Sequence, residues 1–432
     1  MPHETSRREL LRLSATAAFG LTGISRLKAQ SPNDRVRFAI VGCGGKGRSG
    51  MDGAARYGDI VALCDIDSNT LAQAKDSYGY AKTYSDFRKM IEERHDKFDA
   101  VVVSTPDHTH AVAAAMAMRY GKAVYCEKPL ARTIWEARRI GEIAKEMKVA
   151  TQMGNQGTAN NSMRKTAALI KKGAFGAVKE VHCWTDRPGG WWPQGVNRPA
   201  SKPVPANVDW DLWLGPSPWR DYADGYHSFA WRGWWDFGTG AMGDIACHCM
   251  NLPYMALDLR DPVAVQAETP GHNRDSYPAW SIIKYEFAAN KNRGPVTLTW
   301  YDGGKKPPQE LAPTFPFGGN GSLIVCEKAN IFSPGEYAGD SKWDAQIDLP
   351  EVEFVESPGH MAEWVDAIKG GRPAVSNFAN YSSPLTEMAL VGNLAVWANG
   401  PRLEWDSRAM RVKGTREYDS LIRPKYRKGY SL

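Results

Sequence analysis

The 432-residue sequence lacks a long apolar run of the kind that spans a membrane. A span needs about 20 mostly apolar residues. The best stretch, Leu10 to Ile24, is shorter and diluted by Ala, Ser, Thr and Gly. No second such run follows, so the mature protein is expected to be soluble and without a stable membrane anchor. A strong excess of one charge is also missing. The formal net charge is +6, and residues 1–30 hold five Lys/Arg (Arg7, Arg8, Arg12, Arg26, Lys28) against Glu4 and Glu9. Half of the excess therefore lies in the first 30 residues, and the remainder argues for no nucleic-acid partner. The seven cysteines are an odd number, which excludes a complete disulfide framework. "CHC" at 247–249 does not suggest a metal, because consecutive helical side chains point about 100° apart and converge poorly on one ion. No internal repeat or low-complexity linker is evident. The length predicts two domains, and 43% hydrophobic residues suffice for real cores.

The N-terminus has an address. Adjacent Arg7 and Arg8 precede the modest apolar run, and small residues follow it. That order describes a signal peptide over residues 1–30, and "SRRELL" suggests the twin-arginine route to the periplasm. Cleavage after Ala29 is plausible, although Leu27 fits the −3 position poorly. Twin-arginine substrates fold before export in a reducing compartment, so free buried thiols are expected.

After the signal, short apolar runs alternate with helical stretches. "VRFAIVG" (36–42), "DIVALCD" (59–65), "FDAVVVST" (98–105), "KAVYCE" (122–127) and "VATQMG" (149–154) read as buried parallel strands. Helical stretches at 47–57, 68–78, 109–120 and 133–147 separate them. This alternation predicts an α/β fold with a doubly wound parallel sheet over 34–154, its ligand site at the carboxyl ends of the strands.

The first strand runs into Gly42, Gly44, Gly45 and Gly47, a G-x-G-x-x-G turn that opens a helix. The first glycine permits the turn, the second lets a pyrophosphate approach the backbone, and the third lets helix pack on strand. The anion then meets the amides of the helix N-terminus. Asp65 ends the second strand, where a carboxylate accepts bonds from the adenosine ribose hydroxyls. Asp67 follows and no Lys or Arg stands nearby for a 2′-phosphate, so NAD is the expected cofactor rather than NADP.

With "STPDHTHA" (104–111) after the strand at 98–105 and "EKPLA" (127–131) after the strand at 122–127, residues 35–400 resemble the Gfo/Idh/MocA family, which includes glucose–fructose oxidoreductase and inositol dehydrogenase. The resemblance implies a Rossmann domain followed by an α/β domain with a large open, mainly antiparallel sheet, here over 155–382. It implies a last long helix returning toward the first domain, for which 383–400 is suited, and oligomers formed through the open sheet face. Residues 401–432 would be a packing arm or subunit contact, and 359–373 reads as an amphipathic helix.

Lys128, between Glu127 and Pro129, leaves the strand at 122–127 at the cofactor crevice. A lysine there orients an alcohol and stabilises a developing oxyanion or shares its proton. Thr105 and Pro106 would line the nicotinamide side. Asp244 and His248 in "GTGAMGDIACHCMN" are four apart and share one face if that segment is helical. The family's G-D-x-x-x-H motif implies that they join the lysine in the substrate site. His248 would be the general base, since histidine titrates near working pH, and Asp244 would bind a neighbouring hydroxyl or orient the proton relay. After the strand at 98–105, His108 is a candidate for facing substrate and His110 for lining the cofactor or serving structure.

Nine of the sixteen tryptophans fall between 184 and 235. A loop so rich in Trp, Gly, Pro and charge offers flat apolar faces for sugar rings, although about half of the rings are expected to pack cores or interfaces. Trp184, Arg187, Trp234 and Trp235 are the substrate-binding candidates.

Nicotinamide cofactors are cytoplasmic, so an exported enzyme must carry its own and regenerate it in place. The expected function is an NAD-dependent oxidoreductase acting on a secondary hydroxyl of a sugar, glycoside or cyclitol, with the cofactor tightly held. The alternatives are a glycosidase or lyase that oxidises, eliminates, adds water and reduces again, and a silent sugar-binding protein that kept NAD. The signature "EKP" favours the dehydrogenase form.

Overall fold

The computed structural model describes residues 35–335 and 340–432. The export signal expected over 1–30 lies outside the described residues. The first domain runs β1 (Val36–Val41), α1 (Lys46–Ala55), β2 (Gly58–Cys64), α2 (Ser68–Ser77), β3 (Lys82–Tyr84), α3 (Phe87–Arg94), β4 (Ala100–Val103), α4 (Asp107–Arg119), β5 (Ala123–Cys126), α5 (Ile134–Met147) and β6 (Thr151–Met153). Its strands form one parallel sheet in the order β3-β2-β1-β4-β5-β6. The chain reverses between β1 and β4, which opens a crevice at their carboxyl ends. β1 alternates strictly. Phe38 and Ile40 join one core with Met51, while Ala39 and Val41 join the other with Ala114 and Ile140. Both sheet faces are therefore covered, as all-parallel sheets require. Helix α5 starts on a reciprocal cap: Thr133 accepts from the Glu136 amide, and Glu136 accepts from the Thr133 amide.

The second domain adds α6 (Asn161–Lys171), β7 (Val178–Thr185), α7 (Trp210–Leu214), α8 (Gly240–Cys249), α9 (Asn251–Leu257), β8 (Ala264–Glu268), β9 (Ile282–Phe287), β10 (Val296–Tyr301), β11 (Asn320–Cys326), β12 (Ile331–Pro334) and β13 (Lys342–Trp343). It continues with α10 (His360–Ile368), α11 (Ser383–Ala398), β14 (Leu403–Asp406), β15 (Arg411–Val412) and α12 (Asp419–Ile422). The sheet has nine strands in the order β13-β12-β11-β7-β10-β9-β8-β14-β15, antiparallel except for the β7–β10 pair. Helices α8, α9 and α11 pack against it.

Two elements return to the first domain. Helix α11 packs on α5 as well as on β8 and β9. Helix α10, which the sequence places within 155–382, instead puts Trp364 into the first domain's core beside Phe38 and Tyr125. Trp364 and Val365 there extend the apolar cover that Met51 and Ala54 of α1 and Ala74 of α2 give the same sheet face. The C-terminal arm also comes back, with Tyr426 donating to Glu136 at 2.7 Å. All seven cysteines are buried free thiols. Among the described residues no helix is long and apolar enough to cross a membrane, and no three His, Cys, Asp or Glu side chains group as metal ligands.

Candidate active site

A cleft of about 550 Å³ lies at the carboxyl ends of the parallel strands. Asp65 lines it beyond β2 and Lys128 beyond β5, Gly42, Gly44 and Gly45 follow β1 between them, and Asp244 and His248 also line it. The glycine turn is tight. Gly42 has φ +87°, and a Cβ there would lie 2.5 Å from the Ser104 carbonyl oxygen. A Cβ on Gly47 would collide with the Gly42 carbonyl, so only glycine lets α1 begin so close to β1. Asp65 accepts the Cys43 amide at 2.7 Å and the Asp67 amide at 2.9 Å. Its carboxylate is thereby fixed at the cleft wall, although burial pushes its pKa up. These features fit a dinucleotide: open backbone where a pyrophosphate passes, a helix N-terminus facing it, and an acid at the ribose end.

A segment of the second domain closes over that ribose end. The Ser68 amide donates to Asn207 O at 2.8 Å, and the Asp209 amide to Ile66 O at 3.0 Å. Asn207 Nδ2 donates to Asp67 at 2.8 Å, and Val208 bridges to Asp67. Asp67 also caps α2 by accepting the Asn69 and Thr70 amides. Its carboxylate is thus committed to structure.

At the other end, helix α8 presents Asp244 and His248 one turn apart, as the i, i+4 spacing predicts. Lys128 Nζ donates to Asp244 Oδ1 at 2.8 Å and to its main-chain O at 2.7 Å. Arg187 Nη1 donates to Oδ2 at 2.9 Å, and Arg232 Nε to Oδ1 at 3.1 Å. Burial alone would raise the Asp244 carboxyl, but Lys128, Arg232 and Arg187 together hold it well below the usual carboxylate range. Burial and then the Lys128 charge push His248 far below its ordinary value, so the imidazole is neutral at pH 7. Asp107, at the first turn of α4, accepts from Thr239 Oγ1 at 2.6 Å, and burial pushes it up to about 7. Thr105, Pro106, His110 and Glu127 line the same cleft. His110 is fully buried, its ring nitrogens each 2.7 Å from Thr105 O and Pro129 O. It buckles the loop after β4 to the loop that carries Lys128.

Four of the expected substrate residues lie elsewhere. His108 is enclosed, with Nε2 2.8 Å from Trp213 O and Nδ1 3.2 Å from Phe237 O. Its position in α4 turns it into the junction between α7 and the approach to α8. Trp184 is fully buried on the opposite sheet face from α8. It packs on Phe317 and Phe332 and donates to Gly318 O, while its neighbour Cys183 takes the helix side. Trp234 is buried edge-on to Tyr226 and donates to Gly225 O at 2.9 Å. Trp235 stacks on Tyr277 and lines a separate groove with Arg132 and Trp397. Only Arg187 of that group reaches the cleft. The aromatic wall is instead made by Trp191, Trp213, Phe229 and Trp231. Arg232 was not evident from the sequence, where it stands in no motif and twelve residues from Asp244.

Comparison with known proteins agrees with this geometry. A model described as "Oxidoreductase family, NAD-binding Rossmann fold" matches residues 36–155. One described as "Oxidoreductase family, C-terminal alpha/beta domain" matches residues 160–293. The chain belongs to the Gfo/Idh/MocA oxidoreductase family. It is similar to a glycosyl hydrolase family 109 protein of Solibacter usitatus, 33% identical over 200 residues, which cover 40% of this chain and 44% of that protein. It is also similar to inositol 2-dehydrogenase of Salmonella typhimurium, 30% identical over 126 residues, 29% of this chain and 37% of that one. The chain thus spans less than half the length of these curated relatives. Among solved structures, the fold matches the WlbA dehydrogenase of Bordetella pertussis, in complex with NADH and UDP-GlcNAcA. The TM-score is 0.59 at 18% identity, over 86% of this chain and 99% of that one. GenD2 from gentamicin A biosynthesis, in complex with NAD, matches with TM-score 0.57 at 19% identity, over 90% and 100% of the two chains. At these identities the likeness shows the Gfo/Idh/MocA fold alone.

Proposed function

We propose that this Gfo/Idh/MocA protein is an NAD-dependent oxidoreductase acting on a secondary hydroxyl of a sugar, glycoside or cyclitol. The observation that carries the reading is the placement of Lys128, Asp244 and His248 in one cleft with the glycine turn. Gly42, Gly44, Gly45 and Asp65 would hold NAD, with Thr105, Pro106, His110 and Glu127 along its path. Asp65 and the absence of a basic residue at 66–68 favour NAD over NADP. Bound there, NAD supplies a hydride acceptor. Lys128 donates to the substrate oxygen and stabilises charge developing on it. Neutral His248 accepts the hydroxyl proton. Asp244 holds Lys128 in place through two hydrogen bonds.

The main-chain bonds of Asn207 and Asp209 to the β2 end support a tightly held cofactor. With Arg7 and Arg8 as an export address, this fits an enzyme that leaves the cytoplasm loaded and recycles its nicotinamide in place. Replacing both arginines with lysine should keep the protein in the cytoplasm; unchanged export would refute the address. Mass analysis of what leaves the denatured protein tests the cofactor, and absence of any pyridine nucleotide, with none taken up, would refute the reading.

The likeness to a glycosyl hydrolase family 109 protein favours one second reading, glycoside cleavage through transient oxidation. A ketone acidifies the adjacent C–H, which a modest base such as His248 can then deprotonate. Incubation with aryl glycosides and no added NAD separates the two. Aglycone release without net NADH supports cleavage, and a keto-sugar or sugar alcohol supports redox turnover.

A further inference from the structure

Among the described residues, only two of the exposed large hydrophobic side chains line the cofactor cleft, Trp191 at 53% and Phe229 at 43% exposure. They come from separate segments, the loop after β7 and the loop that enters the Ala230–Gly233 turn. Their ring centres are nevertheless 6.4 Å apart, with 30° between the planes. The other rings of the aromatic wall, Trp213 and Trp231, are buried. A single exposed ring is ordinary surface. A pair brought together at the open side of a cleft is not accounted for in that way.

Both rings are also fixed to the reacting end. The Arg187 guanidinium lies 3.9 Å from the Trp191 ring centre, and that of Arg232 lies 4.3 Å from Phe229. The same arginines bond Asp244, Arg187 Nη1 at 2.9 Å and Arg232 Nε at 3.1 Å. The Trp191 amide donates to Pro188 O at 2.6 Å, and Arg232 Nη1 donates to Phe229 O at 2.9 Å. The pair therefore stands one guanidinium away from the carboxylate that holds Lys128. Each ring gives one face to a cation, and about half of each residue still meets water. Rigid aromatic faces supply contact area at low entropic cost, and they pack well on another ring.

We propose that the substrate is a glycoside with a cyclic aglycone, either a further sugar or an aryl group, and that Trp191 and Phe229 hold this second ring at the cleft mouth. This rests on the reading of the cleft as a sugar redox site. His248 is buried and Lys128 nearly so, whereas the two rings are open. The order from inside outward is thus the reacting sugar and then its aglycone.

The test uses the protein as purified with its nucleotide. Glucose, galactose, mannose and xylose are compared as free sugars, as methyl and phenyl glycosides of both anomers, and as disaccharides that carry them at the non-reducing end. Binding is read by calorimetry. At least one phenyl glycoside or disaccharide should bind about ten-fold or more tightly than the matching methyl glycoside, the worth of two aromatic contacts. The arm that gains more tells an aryl aglycone from a second sugar. Trp191→Ala and Phe229→Ala should each shrink that ratio by about three-fold or more, with nucleotide content and oligomeric state as in the wild type. The series on the unaltered protein stands even if a variant misfolds. Equal affinity for methyl glycosides and both ring-bearing series, or no binding of any glycoside, overturns the inference. Loss of nucleotide from a variant of wild-type Tm would give the rings to the cofactor, and a changed oligomeric state would give them to a subunit contact; either overturns it. Bound nucleotide in the unaltered protein with such a result leaves the redox reading standing, whereas a protein that holds none defeats that reading separately.

Discussion

Lys128, at the end of β5, donates to both the side chain and the main chain of Asp244 on α8, so one ammonium joins the nucleotide domain to the helix that carries His248. Lys128→Met should lower turnover by about 10²- to 10⁴-fold, the usual worth of a positioned proton donor, while the purified protein keeps its NAD. Asp244→Ala should be worse for folding, because it leaves three buried cations without their shared anion. Removing one partner of a buried pair costs about 3–5 kcal/mol, readable by urea denaturation. A wild-type Tm for Asp244→Ala would contradict the charge cluster.

Asp107 predicts a pH signature. Its folded pKa, about 7, is raised above the unfolded carboxylate value. Between about pH 4 and pH 7 the folded state binds a proton that the unfolded state does not, so stability falls as pH rises through that window and levels above it. The slope limit is about 1.4 kcal/mol per pH unit for one proton. Asp107→Asn keeps an acceptor for Thr239 and should remove this dependence. The stability of wild type minus variant, measured by denaturation across pH 4–8, should therefore decline toward neutrality; a flat difference would reject the assignment.

Gly47→Ala puts a methyl group against the Gly42 carbonyl. Strain of this kind costs about 1–3 kcal/mol. The variant should fold with a lowered Tm and purify with little or no nucleotide, as read by absorbance of the denatured supernatant.

The tryptophans should separate by position. Trp191 is 53% exposed in the cleft and covers Arg187. Trp191→Ala should weaken substrate binding with little change in Tm. Trp184→Ala empties the packed face beneath Phe317 and Phe332 and should lose about 3–5 kcal/mol of stability.

Asn207→Ala removes one side-chain bond to Asp67 and leaves the main-chain bonds intact. A single hydrogen bond is worth about 0.5–1.5 kcal/mol, so NAD should dissociate about 2- to 10-fold faster from the variant, measured by dilution with excess labelled nucleotide.

The parts of the site read from sequence are those fixed by local rules. Gly42 and Gly47 answer to backbone geometry, and Asp244 and His248 to helical period, so both patterns survive in one dimension. Lys128 was legible because it follows a strand at a crevice. Arg232 was not, because a 3₁₀ turn at Ala230–Gly233 brings it to Asp244 and nothing in its spacing marks that approach. Trp184 and Trp191 look alike in sequence; strand alternation in β7 buries one, and a turn exposes the other. The short β3 and α3 were missed because so few residues carry little periodicity. Helix α10 was read as a helix, but its partner across the molecule was not, since an amphipathic face does not say which core it will meet.

The bonds between Asn207, Asp209 and the end of β2 have a consequence for manufacture. A dinucleotide held at that end would exchange only as often as those pairs open. The nucleotide content of a preparation would therefore record how the protein was made and handled.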